Sequence, residues 1–273
     1  MAMKLGINGS TLENCGVSEF LDIAAQAGYG GVELRMPKID EYLKSKTFDD
    51  LRAELAKTGM RVISLNSIEY STMQTEAEHQ ATLAEVDKFA RYAAELSCPW
   101  LIGCPGECPD STPWDEIVTK SGAQLARLAD TAWKYRVNMA FEFVGFPGRS
   151  AKTPSQAWAI VKEANRGNLG ITVDVANFHS GRGLLSELSA LPAGAVAVYH
   201  INDLRNMPPE KAGAYDRVMP GDGISPVAEI SRELKRIGYN GYACVEIFNH
   251  DYNRRDPLGV AGEAFEKSAR FVR

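Results

Sequence analysis

Short apolar runs rich in β-branched residues alternate, from one end of the chain to the other, with longer segments whose apolar residues recur every three to four positions. The short runs predict strands over 3–8, 31–35, 61–66, 100–103, 137–143, 169–175, 195–201 and 242–248. The longer segments predict helices over 17–27, 48–57, 75–96, 114–135 and 153–164, a short one near 184–190, and two more over 225–237 and 259–271. In the helix over 75–96, Leu83, Val86, Phe89, Ala90 and Ala93 form one apolar stripe. Gly28 and Gly59 stand where the first two helices should stop. Thr153-Pro154 and Ser225-Pro226 are helix starts, since proline is tolerated in a first turn that needs no N–H.

Eight strand–helix units in succession, with mostly apolar strands, imply parallel strands covered by helices. Eight such units in 273 residues predict an α/β fold, a (β/α)8 TIM barrel. An open doubly wound sheet would call for a glycine-rich dinucleotide turn after the first strand. Gly6-Ile7-Asn8-Gly9 does not supply the GxGxxG spacing. No Pro/Gly/Ser-rich linker interrupts the alternation, so the whole span 1–273 reads as one barrel domain.

Composition narrows the function without naming it. Hydrophobic residues make up 45% and charged residues 24%, values of an ordered globular chain. A net charge of −5 argues against nucleic acid as a partner. No apolar run reaches the 18 or so residues that cross a bilayer, and Met1 to Gly9 lacks the apolar segment of a signal peptide; the expectation is a cytoplasmic protein without a membrane partner. Five cysteines, at 15, 98, 104, 108 and 244, do not make a disulfide framework. Cys104-Pro-Gly-Glu-Cys108 is wider than CxxC and has no second ligand pair, so it reads as reduced thiols in a loop. Trp100, Trp114, Trp133 and Trp158 read as core or helix-packing residues. Nothing marks a dimer face, and homo-oligomerisation stays open.

In a barrel of this kind the working face lies where the strands end. Four consecutive strands carry an ionisable residue near that end: Glu142, Asp174, His200 and Glu246. A lone buried carboxylate is costly unless paired or bound to a cation. Four converging groups of this kind make a complete ligand set for one divalent metal ion, with three oxygen donors and one imidazole suiting Mn2+, Mg2+, Co2+ or Zn2+.

With these four residues the chain resembles the xylose isomerase-like barrels, the sugar phosphate isomerase/epimerase superfamily, over essentially its whole length. Gly30-Gly31-Val32-Glu33-Leu34, His200-Ile201-Asn202-Asp203, the loop Arg217-Val218-Met219-Pro220-Gly221-Asp222-Gly223 and Gly238-Tyr239-Asn240-Gly241-Tyr242 follow in the superfamily's order. The 174–179 segment and the long stretch between Asp203 and Arg217 are similar to the inosose isomerase (2-keto-myo-inositol isomerase) group. The resemblance implies a metal-dependent isomerase or epimerase. Such an enzyme moves a carbonyl by proton transfer through a metal-bound cis-enediolate, with Glu142 and Glu246 as the proton-transfer pair. Ketose 3-epimerases carry a further Glu six residues after the strand-five ligand; here that position is Gly148.

The implied partner is a small polyol ketone or sugar. His179, after strand six, and Arg217, ahead of its Pro-Gly-x-Gly turn, are substrate-binding candidates; Arg217 could instead pair with Asp203 or Asp216. Asp203 joins the candidates, as do Glu33 and Asn66 at the ends of strands two and three, which either line the pocket or pair across the barrel mouth. Phe248 and His250 offer an apolar wall, and residues 204–216 either a lid or a surface excursion. The competing readings are an inosose dehydratase-type lyase, a ketose 3-epimerase, and a sugar-binding barrel without turnover.

Overall fold

The eight predicted strands form and close on themselves. The barrel begins with β1 (Lys4–Asn8), β2 (Gly31–Arg35), β3 (Arg61–Ile68) and β4 (Trp100–Gly103), and continues with β5 (Asn138–Glu142), β6 (Leu169–Asp174) and β7 (Val196–Ile201). Two-residue strands β8 (Asp203–Leu204) and β9 (Arg217–Val218) then make a separate antiparallel ribbon, and β10 (Tyr242–Val245) completes the barrel. Neighbouring barrel strands pair in parallel throughout, and β1 closes the ring against β10. This computed structural model describes residues 3–272. Met1, Ala2 and Arg273, which the predicted domain includes, lie outside the described residues.

The helices follow the local signals. They are α1 (Val17–Gln26), α2 (Met36–Tyr42), α3 (Phe48–Thr58), α4 (Glu76–Glu95), α5 (Trp114–Trp133), α6 (Pro154–Ala164), α7 (Val175–Ser180), α8 (Leu185–Ser189), α9 (Val227–Arg236) and α10 (Pro257–Val272). Thr47 with Asp50 and Thr75 with Glu78 form reciprocal capping boxes at α3 and α4. Thr153 caps α6 ahead of Pro154. Gly59 ends α3 at a φ of 69°, a left-handed position where glycine carries no Cβ penalty. α9 buries Val227, Ile230 and Leu234, spaced three and four apart, against the barrel side of the molecule.

Residues two apart share a face of a strand, and the inward faces show a consistent two-layer pattern. Gly6, Gly31, Ala140, Thr172, Val198 and Cys244 are small or apolar; two residues on come Asn8, Glu33, Glu142, Asp174, His200 and Glu246. Ile63 fills the lower space so closely that a Cβ at Gly6 would come within 2.4 Å of its Cδ1. The interior is thus apolar beneath and polar at the C-terminal end, which positions the site.

Several expectations need correction. α2 was not anticipated. Val175, expected to end the sixth strand, instead opens α7, an unanticipated helix directly on the end of β6. Trp114 and Trp133 are not packed inside but 37% and 45% exposed, with Arg136 over the Trp133 ring. The 204–216 stretch, expected as either a lid or a surface excursion, folds back through short 3-10 turns at Pro209–Lys211 and Ala214–Asp216. All five cysteines are free. Among the described residues, no helix is long and apolar enough to cross a membrane.

Candidate metal centre and active-site cavity

Glu142 and Asp174 are the last residues of β5 and β6, His200 is the penultimate residue of β7, and Glu246 follows the last residue of β10. All four are buried, and each offers one ligand atom within 4.8 Å of the others. His200 is the centre of the group. Its Nδ1 lies 3.2 Å from Glu246 Oε2, 3.5 Å from Glu142 Oε1 and 3.9 Å from Asp174 Oδ2, yet makes no hydrogen bond. Its Nε2 is 3.0 Å from Glu33. A buried ring nitrogen without a bond, facing three carboxylates while the opposite nitrogen is tied to a fourth, is the arrangement of a metal-ligating histidine and its outer carboxylate. Donor atoms around a four-coordinate ion at about 2.0–2.3 Å sit roughly 3.3–3.7 Å apart, so this cluster fits a divalent cation.

Other side chains orient the carboxylates. Glu246 Oε1 accepts from Asn8 Nδ2 and Asn66 Nδ2, both at 3.0 Å, and Oε2 from Arg217 Nη1 at 2.9 Å. Asp174 caps α7 by accepting Asn177 N–H at 2.7 Å, and also accepts from Asn202 Nδ2 at 2.6 Å; Arg217 Nη2 lies 3.2 Å away. Glu142 accepts one bond, from Asn177 Nδ2 at 2.9 Å.

Electrostatics follows these partners. Burial pushes the Glu142 carboxyl up to about 7, opposed by His200 and reinforced by the charges of Glu246 and Asp174. Asp174 is raised, chiefly by burial, against the pull of Arg217. Burial would raise Glu246 too, but His200 and Arg217 outweigh it and hold that carboxylate well below its usual range. Burial alone would discourage a charge on His200; the carboxylates of Glu246, Glu33 and Glu142 override it and raise the imidazole well above its ordinary value.

Glu142 and Glu246 of the cluster line a cavity of about 130 Å³, with Arg35, Asn66, Arg149, Asn177, Arg217 and Phe248 also in its wall. Asn66 is therefore in the wall, where it holds Glu246. Arg217 is buried and bridges Asp174 to Glu246, not Asp203 or Asp216. Asp203 instead accepts backbone N–H groups of Leu204, Gly221, Gly223 and Ser225 at 2.8–3.0 Å. It clasps the Pro-Gly-x-Gly turn and has no oxygen left for a substrate. A Cβ at Gly223 would come within 2.1 Å of Leu204 O, so the clasp needs glycine there. Glu33 is also not a substrate contact. It is fully buried below the cavity and engaged by Asn8, Ser64 and His200.

His179 is displaced as well. Two residues along a helix is about 200° of rotation, so with Asn177 facing Glu142, His179 turns outward. It lines a separate groove with Arg182, Leu184 and Pro209. Phe248 does form a wall, with the guanidinium groups of Arg35 and Arg217 each 5.3 Å from its ring centre. His250 stacks 4.0 Å from Tyr215, which donates to Glu13 and pins the 204–216 stretch across the mouth. The orienting amides Asn8, Asn177 and Asn202 were missed. Asn8 ends its strand on the inward face, the same mark that singled out the four ligands.

The family model for the xylose isomerase-like TIM barrel matches residues 21–273. The inosose isomerase of Bacillus subtilis (strain 168) is 30% identical over 252 residues, covering 92% of this chain and 91% of that protein. A 1.8 Å crystal structure of IOLI protein with a bound zinc atom superposes with a TM-score of 0.95 at 28% identity, covering 99% of this chain and 98% of that one. The 3-dehydroshikimate dehydratase of Pseudomonas aeruginosa is 23% identical over 86% of this chain, but over 36% of its own length.

Proposed function

This chain belongs to the xylose isomerase-like TIM barrel family, and we propose that it is a divalent-metal-dependent isomerase acting on a small polyol ketone or sugar, with an inosose as the first candidate substrate. The observation that carries this reading is the unbonded His200 Nδ1 facing Glu142, Asp174 and Glu246 at the C-terminal mouth of the barrel. The inosose isomerase relatives support the substrate class, and the zinc of the IOLI structure supports Zn2+ among the candidate ions. In this reading the protein works in the cytoplasm through one barrel domain.

Glu142, Asp174, His200 and Glu246 would hold the cation, which when bound supplies Lewis-acid polarisation of the substrate carbonyl. Proton transfer between adjacent carbons then belongs to carboxylates. Hydrogen bonds to a carboxylate lower its basicity. Glu246, with three donors, is the poorer base; Glu142, with one, takes the first proton and returns it to the neighbouring carbon. Arg217 keeps Asp174 and Glu246 in register, and Glu33 fixes the orientation of the His200 ring. Phe248 and Phe146 exclude water from the wall.

The test is NMR of inososes in D2O with metal-reconstituted protein, alongside metal analysis of the purified chain. Isomerase action gives a shifted ketone with deuterium at the exchanged carbon. Loss of water would mean a lyase. A protein that cannot be reconstituted with any divalent ion would overturn the reading.

A further inference from the structure

We propose that Arg35 and Arg149 form an anion-binding subsite in the wall of the cavity, so that the substrate is a polyhydroxy ketone bearing a carboxylate or phosphate group at the end remote from the four-ligand cluster. The inference rests on the isomerase reading above and revises its substrate: a neutral inosose would leave this subsite empty, so a polyol ketone that carries an acid group takes precedence over it. Both guanidinium groups line the same cavity as Glu142 and Glu246. Each is held in place by neutral groups. Arg35 lies over the Phe248 ring and donates to Asn66 Oδ1 at 2.8 Å. Arg149 lies 4.2 Å from the Tyr70 ring centre and donates to Pro105 O at 2.8 Å.

Several arginines elsewhere find carboxylates: Arg127 grips Glu76 and Arg166 grips Asp130 through two bonds each. The others without an ion pair among the described residues, Arg61, Arg91, Arg136, Arg232 and Arg270, are exposed, whereas Arg35 and Arg149 are half-buried. Among the described residues, neither Arg35 nor Arg149 has an acidic group within ion-pair distance. A guanidinium has five donors, and each of these spends one on the protein. With a divalent cation bound, that cation and Arg217 would offset Glu142, Asp174 and Glu246. Arg35 and Arg149 then remain against the exposed carboxylate of Glu69, which lines the same wall. Counted with the buried Glu33 behind His200, the charges of the whole site then balance, and Arg35 and Arg149 are the two wall cations without an ion pair. A forked cation with free N–H groups is suited to a planar carboxylate or a phosphate.

Isothermal titration of Zn2+-loaded protein with D-glucose, D-glucuronate and D-glucose 6-phosphate tests this, because the three share a ring and differ at C6. The expected result is at least about tenfold tighter binding of one anion than of glucose, the scale of a charge-assisted hydrogen bond. Whichever anion it is identifies the group as carboxylate or phosphate. The preference should shrink as salt is added and vanish in the Arg35→Gln/Arg149→Gln double variant at unchanged Zn2+ content. If that variant fails to fold, Arg149→Gln alone should remove most of the preference. No preference in the wild-type protein, or a preference that survives the substitutions, overturns the proposal. D2O exchange on a neutral inosose is read independently: exchange without anion preference removes this subsite and keeps the isomerase, and anion preference without exchange on any polyol ketone does the reverse.

Discussion

The two ends of the barrel are built from the same strands and do opposite things. At the N-terminal end a cavity of about 660 Å³ opens among Ile63, Trp100, Tyr239 and Tyr242, with Arg52, Arg61 and Glu95 also in its lining. At the C-terminal end the cavity is about 130 Å³, yet two of its lining residues, Glu142 and Glu246, belong to a buried cluster of three carboxylates and an imidazole. Room is therefore a poor guide to chemistry in this molecule. The wide end is apolar or aromatic along much of its wall, and its charged groups Arg52 and Glu95 neutralise each other at 2.6 Å. The narrow end buries charges that cost stability unless something binds them. A fold does not retain such a cluster for packing, since packing is better served by the apolar layer beneath it.

The comparison predicts that the two ends can be broken separately. Glu142→Gln should cost roughly a thousandfold in turnover, the range of a lost general base, and abolish exchange of the substrate proton with D2O. The thermal midpoint of the metal-free protein should not fall, because one buried carboxylate is removed from a repelling cluster. A variant that keeps full exchange would return Glu142 to a purely ligating role. At the other end, Ile63→Ala removes side-chain volume packed against Gly6 and Gly31. It should cost about 2–4 kcal/mol in stability, seen as a midpoint several degrees lower, with turnover per folded molecule unchanged. Loss of activity without loss of stability would show that the lower layer communicates with the mouth.

The asymmetry between the ends was also an asymmetry in what could be read from the chain. Eight strands and the four clustered residues were legible because an ionisable residue inside an apolar run is conspicuous, and the period of two puts it on the inner face. What each carboxylate touches was not legible. Glu33 and Asp203 lie within two residues of the end of a barrel strand, β2 and β7, as Glu142 does in β5, but one meets an imidazole from below and the other a turn of backbone N–H groups. Those partners come from residues far away in sequence. Asn8, Asn177 and Asn202 escaped notice because a neutral amide carries no charge whose burial demands an explanation. His179 was misplaced because α7, six residues long, is too short for periodicity to announce it.

Asp203 therefore offers a milder way to loosen the active end. Asp203→Asn replaces an ionised acceptor that serves four N–H groups, which should let the 217–223 turn move and Arg217 with it. An approximately tenfold loss in kcat/KM is expected, the size of one or two weakened charge-assisted bonds. The effect should be absent when Arg217 has already been replaced. Additive losses would mean that the clasp acts on the site by another route.

The smallest expected effect asks whether burial or partners make a site. His79 on α4 is as fully buried as His200. Its Nδ1 meets the amide oxygen of Gln74 at 3.3 Å, and its Nε2 also lacks a bond. No carboxylate cluster faces it. Burial lowers its pKa, the positive charge of Arg127 lowers it further, and Glu76 opposes them weakly. The imidazole is thus harder to protonate in the folded chain than in the unfolded chain, which takes up a proton near the ordinary value of about 6.5. The unfolded state then binds more protons as pH falls below that value, so this residue's contribution to stability is complete above it and declines beneath it. Between about pH 7 and pH 5 the thermal midpoint of the wild-type protein should fall more than that of His79→Gln. Identical slopes would mean that His79 is solvated or paired in solution. A steeper wild-type slope, with catalysis unaltered in the variant, would show that an equally buried histidine without facing carboxylates acts only on stability. It is the four acidic partners of His200, not its burial, that distinguish the barrel mouth.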